Sequence, residues 1–334
     1  MGATVREDNH MTFARALSTA CTALILGAGA ATAETPVIRA AVLEFGTVNW
    51  ELDTIQHYEL DAQNGYDLQV QGVAGGSAAQ VAFQGGEADV IVSDWLWVAR
   101  QRADGHDYVF VPYSKAVGGV MVAGDSPAQT LQDLKGQKIG IAGGPLDKSW
   151  LILQAYAQQE YGMDLAAETE QVFGAPPLVF KTALQGETQG AINFWHFMAK
   201  MQAAGMRQLV SVSDAALALG LDPETPLLGY VFKGEMLRDH PEILEGFAAS
   251  SRAAKDLLAE DDDAWARLRD RMNVKNDAQY DALIAGFRAG IPAKGAVNEE
   301  AAAKMLALMA ELGGSDLIGN ATTLPEGVFV QPGS

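Results

Sequence analysis

The sequence predicts an α/β protein in which one strand–loop–helix pattern is used twice, giving two α/β lobes. Three observations carry this. Apolar, β-branched runs such as 88–92 alternate with segments of helical spacing, and each run opens into glycine, acidic or aromatic residues before its helix starts. The alternation breaks at Tyr113-Ser114-Lys115-Ala116-Val117-Gly118-Gly119 and then begins again. From Met236 onward the pattern is nearly all helical. A chain of 334 residues is long enough for one large domain or two lobes.

Residues 37–45 read as the first strand, followed by helical spacing through Leu52, Ile55, Tyr58 and Leu60 that Asn64-Gly65 stops. A second strand over 68–73 opens into Gly75-Gly76-Ser77, with a helix over 78–83. The run 88–92 is apolar enough for a strand buried on both faces. It ends in Ser93-Asp94, a good helix N-cap pair, and two tryptophans, Trp95 and Trp97. A strand over 108–111 completes a β-α-β-α-β series, which predicts a mostly parallel, twisted sheet with helices on both faces. After the break, strands are expected at 120–123, 138–142, 170–173, 190–195 and 209–212, with a long helix over 150–161. The strand over 227–232 follows the polar loop Asp222-Pro223-Glu224-Thr225-Pro226, where the chain is expected to cross back. Helices over 241–258, 264–272, 278–287 and 299–312 finish the chain. The run Glu260-Asp261-Asp262-Asp263 is best read as charge at a helix N-terminus; its spacing matches no calcium loop.

Before Pro36 the sequence has another character. Arg15 precedes an apolar, alanine-rich run over 17–31, which exits through Ala31-Thr32-Ala33. This describes a secretory signal peptide over residues 1–33, with Met11 as well as Met1 a possible start, and places the protein in the periplasm. Cys21 is the only cysteine and lies inside that segment, so the exported chain has no disulfide, thiol nucleophile or Cys-ligated metal. A net charge of −19 leaves no footprint for nucleic acid or anionic lipid.

Enzymatic motifs are missing. The five histidines are scattered, and no H-E-x-x-H, G-x-S-x-G, P-loop or G-x-G-x-x-G occurs. His196, at a strand end, fits a base or a helix cap. What stands out instead is a set of loops suited to gripping a small molecule. Gly75, Gly76 and Ser77 in one half, and Gly144, Lys148 and Ser149 in the other, sit between a strand and a helix, where backbone N–H groups can approach a ligand. Five of the six tryptophans, Trp50, Trp95, Trp97, Trp150 and Trp195, fall at or just past predicted carboxyl ends of strands. Open α/β sheets bind ligands at that edge. Packing of the following helix accounts equally well for Trp95 or Trp97 taken alone. Glu44, Asp94 and Asp147 bring negative charge to the same edge, against Lys148 and Lys115 as cations, which fits a zwitterionic, cationic or planar ligand held by indoles.

The segments Gly-Gly-Glu-Ala-Asp-Val at 85–90 and Leu-Lys-Gly-Gln-Lys-Ile-Gly-Ile at 134–141 resemble periplasmic solute-binding proteins. Within that fold the chain, over about residues 36–315, is similar to the nitrate/sulfonate/taurine-type binding proteins of ABC importers, whose relatives include binders of thiamine-pyrimidine precursors. The resemblance implies a two-lobed type II periplasmic binding protein, with residues 34–115 and 228–334 in lobe 1 and residues 116–227 in lobe 2. It implies a ligand between the lobes, against Phe45 to Trp50, Gly75 to Ser77, Asp94-Trp95 and Gly143 to Ser149. The expected ligand-binding residues are therefore Glu44, Phe45, Asn49, Trp50, Gly75, Gly76, Ser77, Asp94, Trp95, Trp97, Gly144, Lys148, Ser149 and Trp195, with no catalytic or metal residues and no cofactor. Ser93-Asp94-Trp95-Leu96-Trp97 is more acidic and aromatic than a nitrate or plain sulfonate site calls for. The expected function is capture of a small organic solute for an inner-membrane ABC permease, by a monomer. A sensory ligand-binding module and a pyrimidine-synthesising enzyme on the same fold are the alternatives, the second lacking the cysteine and clustered histidines it needs.

Overall fold

A computed structural model describes residues 35–330. The signal peptide expected over 1–33, with Cys21, lies outside the described residues. The first half runs β1 (Val37–Leu43), α1 (Val48–His57), α2 (Leu60–Gln63), β2 (Asp67–Val73), α3 (Gly76–Gln84), β3 (Val90–Asp94), α4 (Trp95–Ala103) and β4 (Tyr108–Ser114). The second half runs β5 (Gly119–Val122), a 3₁₀ turn (Leu131–Leu134), β6 (Lys138–Ala142), α5 (Lys148–Tyr161), β7 (Glu170–Gly174), α6 (Pro176–Leu184), β8 (Gly190–Asn193), α7 (Trp195–Ala203), β9 (Arg207–Ser211) and α8 (Val212–Ala218). Then come β10 (Leu228–Lys233), α9 (Gly234–Asp239), α10 (Pro241–Glu260), α11 (Asp262–Leu268), α12 (Asp277–Ala289) and α13 (Glu299–Ile318). Asp261 caps α11 by accepting the Asp263 N–H, and Asp262 takes Arg288, so the acidic run does serve a helix start.

Two five-stranded sheets result, ordered β2-β1-β3-β10-β4 and β7-β6-β8-β5-β9. They are mixed where the alternation predicts mostly parallel pairing. β1, β2 and β3 pair in parallel, but β10 lies antiparallel between β3 and β4. In the same way β5 lies antiparallel between β8 and β9. The reason is the route of the chain. β4 ends at Ser114 on the carboxyl edge of its sheet, and only four residues separate it from β5, which pairs Gly119 with Asn193 at the carboxyl end of β8. A strand that enters at the carboxyl edge has to run away from it. β10 repeats this on the return, its first residue Leu228 pairing with Asp94 and Ser114.

The core of the first lobe packs α1, α10 and α11 on one face of the first sheet, through Leu52, Ile55, Phe247 and Trp265. The apolar stripe of α13 instead reaches both α4 and α5, joining Trp97, Trp150, Met305 and Met309 in one buried cluster. α12 packs on α7. The C-terminal helices thus touch elements of both lobes. Among the described residues no helix is long and apolar enough to cross a membrane.

Candidate functional site

The carboxyl ends of β3 and β6 come together through two helices that start in the same way. Asp94 caps α4, its Oδ1 accepting the Trp97 N–H at 3.0 Å. Asp147 caps α5, its Oδ1 accepting the Trp150 N–H at 3.1 Å. Each cap satisfies one of the free amides of a helix start. Gly143, with a φ of +95°, makes the turn that brings the chain from β6 into the α5 cap. The remaining oxygen of Asp94, Oδ2, accepts from Lys148 Nζ at 2.9 Å, so the first residue of α5 in one lobe is bound to the cap of α4 in the other. Both side chains are largely but not fully withdrawn from water, at 16% and 26% exposure. The Asp94 carboxylate holds the Lys148 ammonium above the ordinary lysine range. Burial pushes the Asp147 carboxyl up, against the opposing pull of the Trp150 amide and Lys148.

The loops that follow β2 and β6 leave backbone accessible. A Cβ added at Gly75, Gly76 or Gly144 would meet nothing within 4 Å, so these glycines border open space. α3 begins at Gly76 with no side-chain cap, and Ser77 in its first turn is exposed. Ser149 is half-buried and lies near Gly118, where a Cβ would stand 3.6 Å from its Oγ and 2.3 Å from the Asn193 carbonyl. On the opposite lobe, Asn49 donates from Nδ2 to the carbonyls of Leu43, Gly46 and Glu44, at 2.8, 2.9 and 3.2 Å. Its amide is spent on holding the loop that presents Glu44 and Phe45, both exposed, Phe45 at 86%.

The tryptophans divide. Trp95 is fully buried and packs on Phe329 at 5.6 Å. Trp97 is buried and stacks on Tyr108. Trp150 is buried in the cluster with α13. These indoles follow helix-face geometry into the core and do not border the cleft. Trp50 and Trp195 do meet across the lobes, edge to face at 6.1 Å. Trp50 is itself buried against Trp265 and Phe287. Trp195 is half-buried and rests on Gly286, where any Cβ would come within 2.7 Å of its ring. It also lines a cavity of about 470 Å³ beside the two crossings, with Lys115, Gly118, Gln202, Ser211 and Glu224. Lys115 and Glu224, one from each crossing segment, form an ion pair at 2.6 Å. His196 next door is held neutral, its pKa pulled down to about 4 by burial and by Lys200.

Two exposed apolar residues stand at the carboxyl edge of the second sheet: Leu146, inside the expected 143–149 loop, and Phe194, which sequence reasoning passed over. Both occupy strand–helix loops like that of Phe45, and position alone marks them out. Among the described residues no group of three or more His, Cys, Asp or Glu side chains is placed to hold a metal.

The family described as NMT1/THI5 like matches residues 62–264. The chain belongs to this family. Its fold is that of several solved binding proteins. The periplasmic aliphatic sulphonate binding protein SsuA of Escherichia coli superposes with a TM-score of 0.68 at 19% identity, over 90% of this chain and 93% of SsuA. The alkanesulfonate-binding protein SsuA of Xanthomonas axonopodis pv. citri, bound to MOPS, gives 0.65 at 16% identity, over 89% and 96%. The ligand binding component of an ABC-type import system from Staphylococcus aureus, with zinc bound, gives 0.64 at 13% identity, over 89% and 97%. No curated protein matches the chain. At these identities the likeness establishes the two-lobed periplasmic binding protein fold, that of an ABC-type ligand-binding component.

Proposed function

We propose that this NMT1/THI5-like protein is the solute-binding component of an ABC-type importer. It is exported through a signal peptide over 1–33, works as a monomer in the periplasm, and captures a small organic solute between its lobes. The observation that supports this most is the Lys148–Asp94 pair at 2.9 Å, which joins the carboxyl edges of the two sheets where open backbone and two helix N-termini converge. Interactions that span the lobes are what a hinge-closing protein uses to make its closed form solute-dependent. The lobes are 34–115 with 228–334, and 116–227. The solute is held by Lys148 and Asp94, by the open backbone at Gly75-Gly76-Ser77 and Gly144, and by Ser149, with Glu44 and Phe45 at the mouth. Trp50 and Trp195 form the inter-lobe wall. The closed form then engages an inner-membrane permease, and no reaction is catalysed.

Mass spectrometry of small molecules released by denaturing protein purified from the periplasmic fraction tests the reading. One organic solute in near-stoichiometric amount is expected from the wild-type protein, and much less from Lys148→Gln. A protein that retains no solute, and whose melting is moved by no component of a periplasmic extract, would contradict it.

A further inference from the structure

Resting on the hinge-closing reading above, we infer that the cavity beside the two crossings is a second ligand site. Its occupant is a small neutral molecule with a flat apolar body and a hydrogen-bonding end, and it favours the closed lobes. The cavity holds about 470 Å³, within the roughly 300–1,000 Å³ of small-molecule sites. Its walls come from both lobes. On one side α12 presents Ala282, Ala285, Gly286 and Ala289, which share a face at helical spacing and send no long side chain into the space. On the other, α7 contributes Met198, and Trp195 closes one end where it rests on Gly286. A smooth wall opposite a thioether and an indole suits a ring.

The polar lining sets the chemical class. Gln202, Gln208 and Ser213 face the cavity, and no hydrogen bond to another described residue engages their side chains, whereas Ser211 is spent on capping α8. Among the described residues, the charged groups in the lining are Lys115 and Glu224, which neutralise each other at 2.6 Å. An ionic occupant would lose hydration without gaining a counter-charge; a neutral amide or hydroxyl finds open donors and acceptors. Position supplies the effect on the lobes. β4 and β9 are the end strands of their sheets, outside β10 and β5, and Lys115, Gln208 and Ser213 border the cavity on that side. The Asp94–Lys148 contact lies on the inner side, at β3 and β6. A rotation about the crossings that separates Asp94 from Lys148 therefore brings the outer walls together. The cavity is at full volume only with the lobes closed, so its occupant stabilises that form, and the coupling to solute is reciprocal.

Titration calorimetry on the mature protein with shape-matched probes tests this. Benzamide and 1-naphthamide are the neutral probes, benzoate and benzylammonium the ionic ones. At least one amide is expected to bind about ten-fold or more tighter than either ion. Ala285→Leu combined with Ala289→Leu fills the space from two exposed helix positions and should abolish amide binding, with melting curves to show that the variant is folded. Gln208→Leu, a single exposed change, should weaken the amide by about two- to ten-fold, the worth of one neutral hydrogen bond. With the solute recovered from the purified protein, saturating amide should tighten capture by about five-fold or more, and the filled variant should lose that response. Binding of neither amide, equal binding of amide and ion, or amide affinity unchanged by both sets of substitutions would overturn the inference. So would solute affinity that amide leaves unmoved or lowers, the second meaning that both share one site. If Lys148→Gln leaves solute binding untouched, capture at Lys148 is wrong, while an amide that still tightens that solute supports this second site.

Discussion

Among the described residues, two withdrawn lysine–carboxylate pairs differ in what they join. Glu51 and Lys255 are 0% and 2% exposed and lie wholly within the first lobe, linking α1 to α10. Lys255 Nζ donates to Glu51 Oε1 at 2.8 Å and to Ser251 Oγ at 2.7 Å, and it lies over the rings of Tyr113 and Tyr230. Glu51 Oε1 also accepts from Tyr230 and Ser251. Burial pulls the Lys255 ammonium down and pushes the Tyr113 and Tyr230 hydroxyls up. Asp94–Lys148 has fewer partners, more water and one end in each lobe. The same chemistry fastens one lobe internally in the first case and, in the function proposed above, is exchangeable in the second. Burial and connectivity, rather than residue type, separate the two pairs.

The largest expected effect comes from breaking the internal pair. Lys255→Met leaves Glu51 buried and charged, and should cost about 3–5 kcal/mol of stability in denaturant titration. Adding Glu51→Gln should return part of that loss, while solute selectivity stays unchanged throughout. Next is the aromatic cluster behind Trp50. Trp265 is 0% exposed and touches both Trp50 and Phe287, so Trp265→Ala should cost about 3–5 kcal/mol. The half-buried Trp195 should cost clearly less than Trp265 when truncated to alanine, and its loss should show in solute affinity instead.

His196 sharpens the contrast through pH. Its folded pKa of about 4 lies below the usual 6.5, so between these values the unfolded chain binds the extra proton. The stability it permits is full above pH 6.5 and is lost as pH falls toward 4. His196→Asn should flatten that part of a melting-temperature profile, and an unchanged slope would show that the imidazole is not held neutral. The smallest stability effect belongs to Asp94→Asn, about 1 kcal/mol or less, because the pair it breaks is partly solvated and the cap survives. If Asp94→Asn destabilises as much as Lys255→Met, the distinction between the two pairs fails.

Much of this was legible in the sequence because strand ends are marked by composition. The break at 113–119, the restart at 120, and the acidic cap Asp94 are local signals, and local signals survive without coordinates. The antiparallel insertion of β5 and β10 was not legible, since it depends on which edge of a sheet the chain enters. Nor was the fate of the indoles. Trp95 and Trp97 stand next to a cap in sequence, but a helical turn of 100° per residue carries them into the core. Nothing in the helical pattern over 241–258 sets Lys255 apart; only the tertiary approach of Glu51, some two hundred positions away, makes it a buried anchor.

The central claim is that the lobes respond to a solute held at Lys148. The chain from Thr35 onward has no cysteine, so spin labels can be placed cleanly at Val81→Cys on α3 and Leu178→Cys on α6, both exposed. Electron–electron double resonance between them, with and without the solute recovered from the wild-type protein, reads the separation of the lobes directly. The account predicts that solute narrows the distance distribution and shifts it to a single shorter value, and that Lys148→Gln abolishes the shift. A distribution that stays the same at saturating solute would contradict it.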